Sequence, residues 1–465
     1  MVAKINIPQA PIYTHEGGKA KHINSEMQLR RSVMACLLWE KEFYEEGEEI
    51  VSRIASLIPK VAPDKVAGMA IEARSSMKLR HVPLLIVREM ARHDSHKKLV
   101  SYTLSEIIQR PDELSEFLAI YWKEKKQPIS SQVKKGLAKA FTHFNEYQLA
   151  KYNRDGAIKL RDVLFLCHAK PKDQEQETLW KKLVNNELAT PDTWEVALSS
   201  GGDKKAHWER LLQENKLGAL ALLRNLRNFQ QAKVDESLVE KALAEIKVDR
   251  VLPFRFISAA RYAPQLEPSL EVAMLKCLST QGKLPGHTVL LVDVSASMDR
   301  LLSAKSDISR LDAANGVAML LRDICDKVSI YSFSMKLVLI PPRRGFALRD
   351  AIYNSQEHSG TPLGEAIRCI YAGRDYQNLQ ADFGLYGYHN IQYQGQELRP
   401  DRLIVITDEQ SCDKVPNPVI GKGYMINIAS ARNGVGYGPW IHIDGFSEAV
   451  INYIQETEAV GDSIT

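Results

Sequence analysis

Thr288-Val289-Leu290-Leu291-Val292-Asp293-Val294-Ser295-Ala296-Ser297 decides the architecture of the C-terminal part of this chain. An apolar, β-rich run without polar alternation reads as a strand covered on both faces. Three more runs have the same character: Val328–Phe333, Leu403–Asp408 and Tyr424–Ile428. Helical stretches lie between them near 310–326 and 362–372. Apolar strands alternating with helices predict an α/β domain with a doubly wound, mostly parallel sheet.

Ligands of such a sheet gather at the carboxyl ends of its strands. Asp293 ends the first strand, and Ser295 and Ser297 can turn their hydroxyls the same way. Asp408 ends a later strand, and Thr361 sits in the turn Ser359-Gly360-Thr361-Pro362. Carboxylates, hydroxyls and water form an oxygen shell suited to a divalent cation, Mg²⁺ first and Mn²⁺ second, and unsuited to zinc. The competing reading is that the two serines cap the following helix. The order of Asp, Ser, Ser, Thr and Asp, each after a strand or turn, favours metal. No histidine pair lies near these residues in sequence, and no Gly-x-Ser-x-Gly turn supplies a nucleophile, so a non-enzymatic site is expected.

Working outward, Gln281-Gly282-Lys283-Leu284-Pro285-Gly286 is a linker where the character changes. From Ser25 to Ser279 the chain reads as successive helices. Trp208, Leu211 and Leu212, then Leu217, Leu220, Leu223 and Leu226, mark one-sided apolar stripes. Breaks at Pro111, Pro128 and Pro191 are followed by Asp112, Ser130 and Asp192, where N-caps would fall. Many short helices without a sheet imply a bundle or stacked helix pairs. A multidomain chain follows: an extension over 1–24, an all-α domain over 25–284 and the α/β domain over 285–465.

The 465 residues and 45% hydrophobic content are those of an ordinary globular protein of two or more domains. Six cysteines without a Cys-x-x-Cys pair suggest reduced thiols. With no apolar span or leader-like start, a cytoplasmic protein without a membrane partner is expected.

The net charge is only +4, yet residues 123–172 hold twelve Lys and Arg against four acids. The stretch therefore carries +8 and the rest of the chain −4. A focused basic face is what phosphate-backbone binding requires. Tyr121, Trp122, Phe141, Phe144, Tyr147 and Tyr152 are interleaved as candidates for stacking on unpaired bases. For Phe141 and Phe144, spaced i, i+3, a core stripe is the stronger reading. His168, in Leu166-Cys167-His168-Ala169-Lys170-Pro171, stands where a helix ends, and capping explains it on spacing alone.

The ligand loops resemble the metal-ion-dependent adhesion site of von Willebrand factor A domains over about 286–456. A helical array leading into such a domain resembles the Ro ribonucleoprotein family, whose helical part is the TROVE domain. The matching stretches are Thr14-His15-Glu16-Gly17-Gly18, Lys151-Tyr152-Asn153-Arg154, Arg161-Asp162-Val163-Leu164, His168-Ala169-Lys170-Pro171, Ala219–Leu226 and Asp293–Met298. Ser359-Gly360 before Thr361 departs from the more familiar Gly-Gly.

This resemblance implies a ring of HEAT-like helix pairs closed by the A domain. It implies binding of small noncoding Y-type RNA on the basic surface and of single-stranded ends of misfolded RNAs. The RNA contacts would fall on Lys151, Arg154 and His168, joined by Lys134, Lys135, Arg161 and Lys170 from the basic stretch. An exoribonuclease such as polynucleotide phosphorylase is the implied protein partner, and an acidic protein ligand would occupy the metal site. Two alternatives are an adhesion adaptor without an RNA role and a metal-dependent phosphoester hydrolase.

Overall fold

The structure is a computed structural model that describes residues 10–34, 47–199, 201–248, 251, 254–276, 283–302, 306–372, 400–419, 421–447 and 449–461. Its N-terminal part is a run of helices. They are α1 (Ser25–Met34), α2 (Gly47–Leu57), α3 (Pro63–Ser75), α4 (His81–Arg92), α5 (Lys97–Ile107), α6 (Asp112–Tyr121), α7 (Ser131–Phe141) and α8 (Glu146–Tyr152). Then follow α9 (Leu160–Cys167), α10 (Gln174–Asn185), α11 (Trp194–Ser199), α12 (Lys204–Gln213), α13 (Ala219–Gln231), α14 (Glu236–Ala244), α15 (Phe254–Tyr262) and α16 (Glu267–Leu275).

Local signals account for several starts. Ser130 accepts the Val133 N–H at 3.4 Å and caps α7, and Asn145 and Gln148 form a capping box on α8. The other two expected caps do different work. Asp112 is already helical and binds Arg80 and Arg110, each at 2.6 Å. Asp192 pairs with Arg210 at 2.9 Å and with Lys216 at 2.5 Å. Trp208, Leu211, Leu212, Leu223 and Leu226 are buried, whereas Leu220 is exposed, because a three-residue spacing drifts around a helix of 3.6 residues per turn.

The sheet comprises β1 (Leu284–Asp293), β2 (Cys325–Phe333), β3 (Leu337–Leu339), β4 (Arg402–Thr407), β5 (Lys422–Asn427) and β6 (Ile441–Asp444). Its order is β3-β2-β1-β4-β5-β6. All neighbours are parallel except β2 and β3. Helices α17 (Arg310–Ile324), α18 (Gly345–Tyr353), α19 (Leu363–Ala372) and α20 (Ala449–Gly461) complete the domain. Period two sorts the strand side chains. Leu290, Val292, Ile404 and Ile406 enter one core, while Val289, Leu291, Leu403 and Val405 enter the core beneath α19. The short strands β3 and β6 and helices α18 and α20 were not anticipated from sequence.

The helical part has two cores. One runs from α1 to α10. The other begins at Trp208 in α12 and is continuous with the sheet core. Helices α15 and α16 pack on α17 and α18, and at the other end α1 contacts β6. The helical array therefore meets the sheet domain at both ends, forming a closed circuit. Among the described residues no helix is long and apolar enough to cross a membrane. Cys167, Cys325, Cys369 and Cys412 are free thiols; Cys36 and Cys277 lie outside the described residues.

Candidate metal centre and nucleic-acid interface

β1 delivers Asp293 to the carboxyl edge of the sheet, and the chain then forms a 3-10 turn over Ala296–Asp299. Ser295 precedes that turn without any side-chain capping bond. Its Oγ instead lies 3.2 Å from Ser297 Oγ, so the two hydroxyls are directed at one another rather than at a helix terminus. Thr361, Asp293, Ser295, Ser297 and Asp408 are all buried. The Thr361 loop is tied to the first ligand loop through Ala296 N–H to Ser359 O at 2.9 Å. A His358–Asp299 contact of 2.8 Å makes a second tie.

The charge balance at this edge is tight. Asp293 Oδ1 accepts the Ser295 N–H at 2.9 Å, and Oδ2 accepts the Thr407 hydroxyl at 2.6 Å. Burial first, and the Asp408 carboxylate second, push the Asp293 carboxyl up to about 7. Asp408 Oδ2 accepts from buried Arg310, the first residue of α17, at 2.9 Å. The guanidinium thus pairs with Asp408, while Asp293 is held by hydrogen bonds alone. Among the described residues no three His, Cys, Asp or Glu side chains group as metal ligands, so a cation at this edge would have to draw on the Ser295, Ser297 and Thr361 hydroxyls. The residues fit a hard divalent cation: oxygen donors, a negative balance when both acids ionise, and an acid raised by its neighbour.

The loop after Asp408 has a second role that was not evident from sequence. Glu409, with φ +59°, pairs with Arg31 of α1 at 3.0 Å, both side chains fully buried. Arg31 also donates to Ala431 O at 2.5 Å and Asn433 O at 3.1 Å. His442 contacts Glu409 on its other side and Asp444 at 3.4 Å. Burial opposes charge on His442, but Asp444 and Glu409 outweigh it and raise the imidazole to about 9. Burial likewise opposes ionisation of Glu409, yet Arg31 and His442 hold it at about 2. The hairpin around Tyr13–Lys19 sits on the same loop: Thr14 Oγ1 donates to Ser411 O at 2.6 Å, and the His15 N–H to Gln410 Oε1 at 2.9 Å. Gly18 is required there, since a Cβ would lie 2.2 Å from Ser411 O.

The basic stretch folds into α7, α8 and α9 and their connections. Lys134 on α7 donates to His168 Nε2 at 3.4 Å, which brings two of the candidate residues together across 34 positions. His168 caps α9 with its backbone, at φ +53° with its N–H on Phe165 O at 3.2 Å, while its ring is exposed. Capping and surface exposure are thus both true of this residue. Lys135, Arg154 and Lys170 are exposed; Lys134, Lys151 and Arg161 are half-buried. Lys151 Nζ lies 5.9 Å from the Tyr152 ring, with Arg110 at 4.6 Å from that ring. Of the interleaved aromatics, Tyr121, Phe141 and Phe144 belong to the core. Trp122 is half-buried, its indole N–H bonded to Gln127 O at 2.8 Å, and Tyr147 is exposed.

Comparison with known proteins agrees with this architecture. The TROVE domain model matches residues 185–311, a span that begins after the basic stretch and includes the Asp293–Ser297 loop. Telomerase protein component 1 of Rattus norvegicus is 20% identical over 350 residues, covering 56% of this chain and 13% of that protein. The Mus musculus protein of the same name is 32% identical over 110 residues, covering 22% of this chain and 4% of its own. This chain therefore spans a small fraction of the length of those relatives. The crystal structure of Deinococcus radiodurans RO (RSR) protein superposes with a TM-score of 0.55 at 19% identity, covering 91% of this chain and 97% of that one. The chain is similar to TROVE domains over residues 185–311, and its helical array and sheet domain together have the fold of the Deinococcus Ro protein.

Proposed function

We propose that this protein is a non-enzymatic, cytoplasmic RNA-binding scaffold that holds a small noncoding Y-type RNA and single-stranded ends of misfolded RNAs. The observation that carries the reading is the meeting of Lys134 and His168 on an exposed face within the stretch that concentrates +8 charge. The TROVE match supports it. Lys134, Lys135, Lys151, Arg154, Arg161 and Lys170 would contact phosphates, and His168 would add a polar contact. Such contacts position RNA by charge and shape more than by sequence.

The second component is a divalent cation, Mg²⁺ or Mn²⁺, held by Asp293, Ser295, Ser297, Thr361 and Asp408. When bound, it supplies a Lewis-acidic position able to take a carboxylate from an acidic protein ligand. An exoribonuclease such as polynucleotide phosphorylase is the partner proposed to act on the RNA so presented.

The test is binding of purified full-length protein to a labelled RNA over a salt series. Affinity should fall steeply with salt, and replacing Lys151, Arg154 and His168 together should weaken binding without changing thermal unfolding. Binding indifferent to both would refute the RNA reading and favour a protein adaptor. RNA cleavage with Mg²⁺ that disappears in Asp293→Ala would instead establish a hydrolase.

A further inference from the structure

Scattered exposed apolar residues are ordinary on any protein surface. Two on this surface are distinguished by what lies between them. Phe165 on α9 is 61% exposed, and Tyr102 on α5 is 54% exposed. Helix phase places each on the outer side. The buried residues of α5 include Val100, Leu104 and Ile107, which leaves Tyr102 opposite. Those of α9 are Leu160, Val163, Leu164 and Cys167, which leaves Phe165 opposite.

Helix α7 packs against both α5 and α9. At the α5 side a Cβ on Gly136 would lie 2.9 Å from Leu104 Cβ, so these helices approach closely. Across that seam Lys139 Nζ lies 5.9 Å from the Tyr102 ring and 3.9 Å from Glu106. Across the other seam Lys134 reaches His168, whose backbone N–H bonds to Phe165 O. Lys135 is exposed on the face between. The order across the three helices is therefore ring, three lysines, imidazole, ring. At interaxial spacings of about 8–10 Å the band spans roughly 16–20 Å.

We propose that Tyr102 and Phe165 are base-stacking platforms at the two edges of a single-stranded RNA track crossing α5, α7 and α9. Lys139, Lys135, Lys134 and His168 hold the phosphates between them. The proposal rests on the RNA-binding reading above and names further residues for it. Charge complementarity selects the occupant: an apolar protein partner would have to cover three lysines, whereas a single strand offers phosphates to the cations and a π-face to each ring. Stacking on an aromatic ring is tolerant of sequence and is worth enough per base to be seen in one substitution. The six aromatics interleaved in the basic stretch are poorer candidates, because three of them are core residues.

The experiment uses the full chain and a fluorescein-labelled 12-nucleotide oligouridylate, read by anisotropy from low to moderate salt. Tyr102→Ala and Phe165→Ala should each weaken binding about fivefold or more, with the slope of log affinity against log salt unchanged. Tyr102→Phe and Phe165→Trp, which keep a ring, should retain wild-type affinity. Lys134→Ala should weaken binding and lower the slope by about one. Photocrosslinking with 5-bromouridine should attach RNA to peptides carrying Tyr102 and Phe165. If both alanine variants bind as wild type while Lys134→Ala is weakened, stacking is refuted and the RNA reading stands. If the wild type does not bind the oligonucleotide at low salt, both are refuted.

Discussion

The helical array joins the sheet domain by two seams that differ in what lies at their centre. At the C-terminal seam the core continues without a break from α12 through α16 into the sheet, and Phe254 meets Phe446 edge-on with ring centroids 5.2 Å apart. At the N-terminal seam α1 is held by a fully buried ion pair, Arg31–Glu409, extended through His442 to Asp444. Ion pairs also cross the C-terminal seam, Arg261–Asp312 and Arg349–Glu267, but each keeps a partly exposed partner, whereas the fully buried pair is strong only while every charge has its partner. One end of the array is thus part of the sheet domain's core, and the other is latched to it.

The largest test of that contrast is Arg31→Met. Removing one partner of a buried pair leaves Glu409 with only His442 as counter-charge and should cost about 3–5 kcal/mol in denaturant unfolding. Phe254→Ala should cost a similar amount through the cavity it leaves, but its cost should not vary with pH. Equal pH dependence of the two would erase the distinction between the seams.

The next effect is the pH profile itself. His442 is raised to about 9 in the folded state, so its contribution is complete below its ordinary value near 6.5 and is lost as pH rises through about 9. Glu409, held at about 2, contributes fully above its ordinary value near 4.5 and loses that contribution as pH falls toward 2. Stability measured from pH 6 to 10 should decline in wild type and decline less in His442→Gln. A flat wild-type profile would show that the imidazole is not charged.

Divalent cation should give a smaller effect. Adding Mg²⁺ after chelation should stabilise the protein by about 1–3 kcal/mol at saturating concentration, and Asp293→Ala should abolish that gain. Because Asp408, Glu409 and Gln410 are consecutive, hydrogen exchange should slow at the Tyr13–Lys19 hairpin on metal addition and stay unchanged around Phe254. The smallest effect is Lys134→Ala, which lies on an exposed helix face away from both seams. It should change stability by less than about 0.5 kcal/mol.

Much of this was legible in the chain. The four apolar runs became β1, β2, β4 and β5, because a strand covered on both faces leaves an unmistakable apolar signature. The loops bearing Asp293 and Asp408 both fell at strand ends. The pair Phe141 and Phe144 entered the core, as their i, i+3 spacing implied. The three-residue β3 and four-residue β6 are too short to show a pattern. The partners of the ligand residues were hidden for a different reason. Arg310 meets Asp408 across 98 positions, and nothing local marks an arginine as the counterion of a distant acid. Tyr102 was passed over because it lies outside the basic stretch and joins it only through helix packing.

The hairpin around Tyr13–Lys19 also sets the order of assembly. Thr14 and its acceptor Ser411 are 397 positions apart, and that acceptor takes its place only after β4 has paired in the sheet. On a ribosome the N-terminal segment, like the separate core of α1–α10, therefore emerges long before its seat exists. Contacts of such sequence separation form late. Stabilising or removing them should act on the unfolding rate and leave the refolding rate nearly unchanged. The durability of the closed molecule is then a kinetic property of its first few dozen residues.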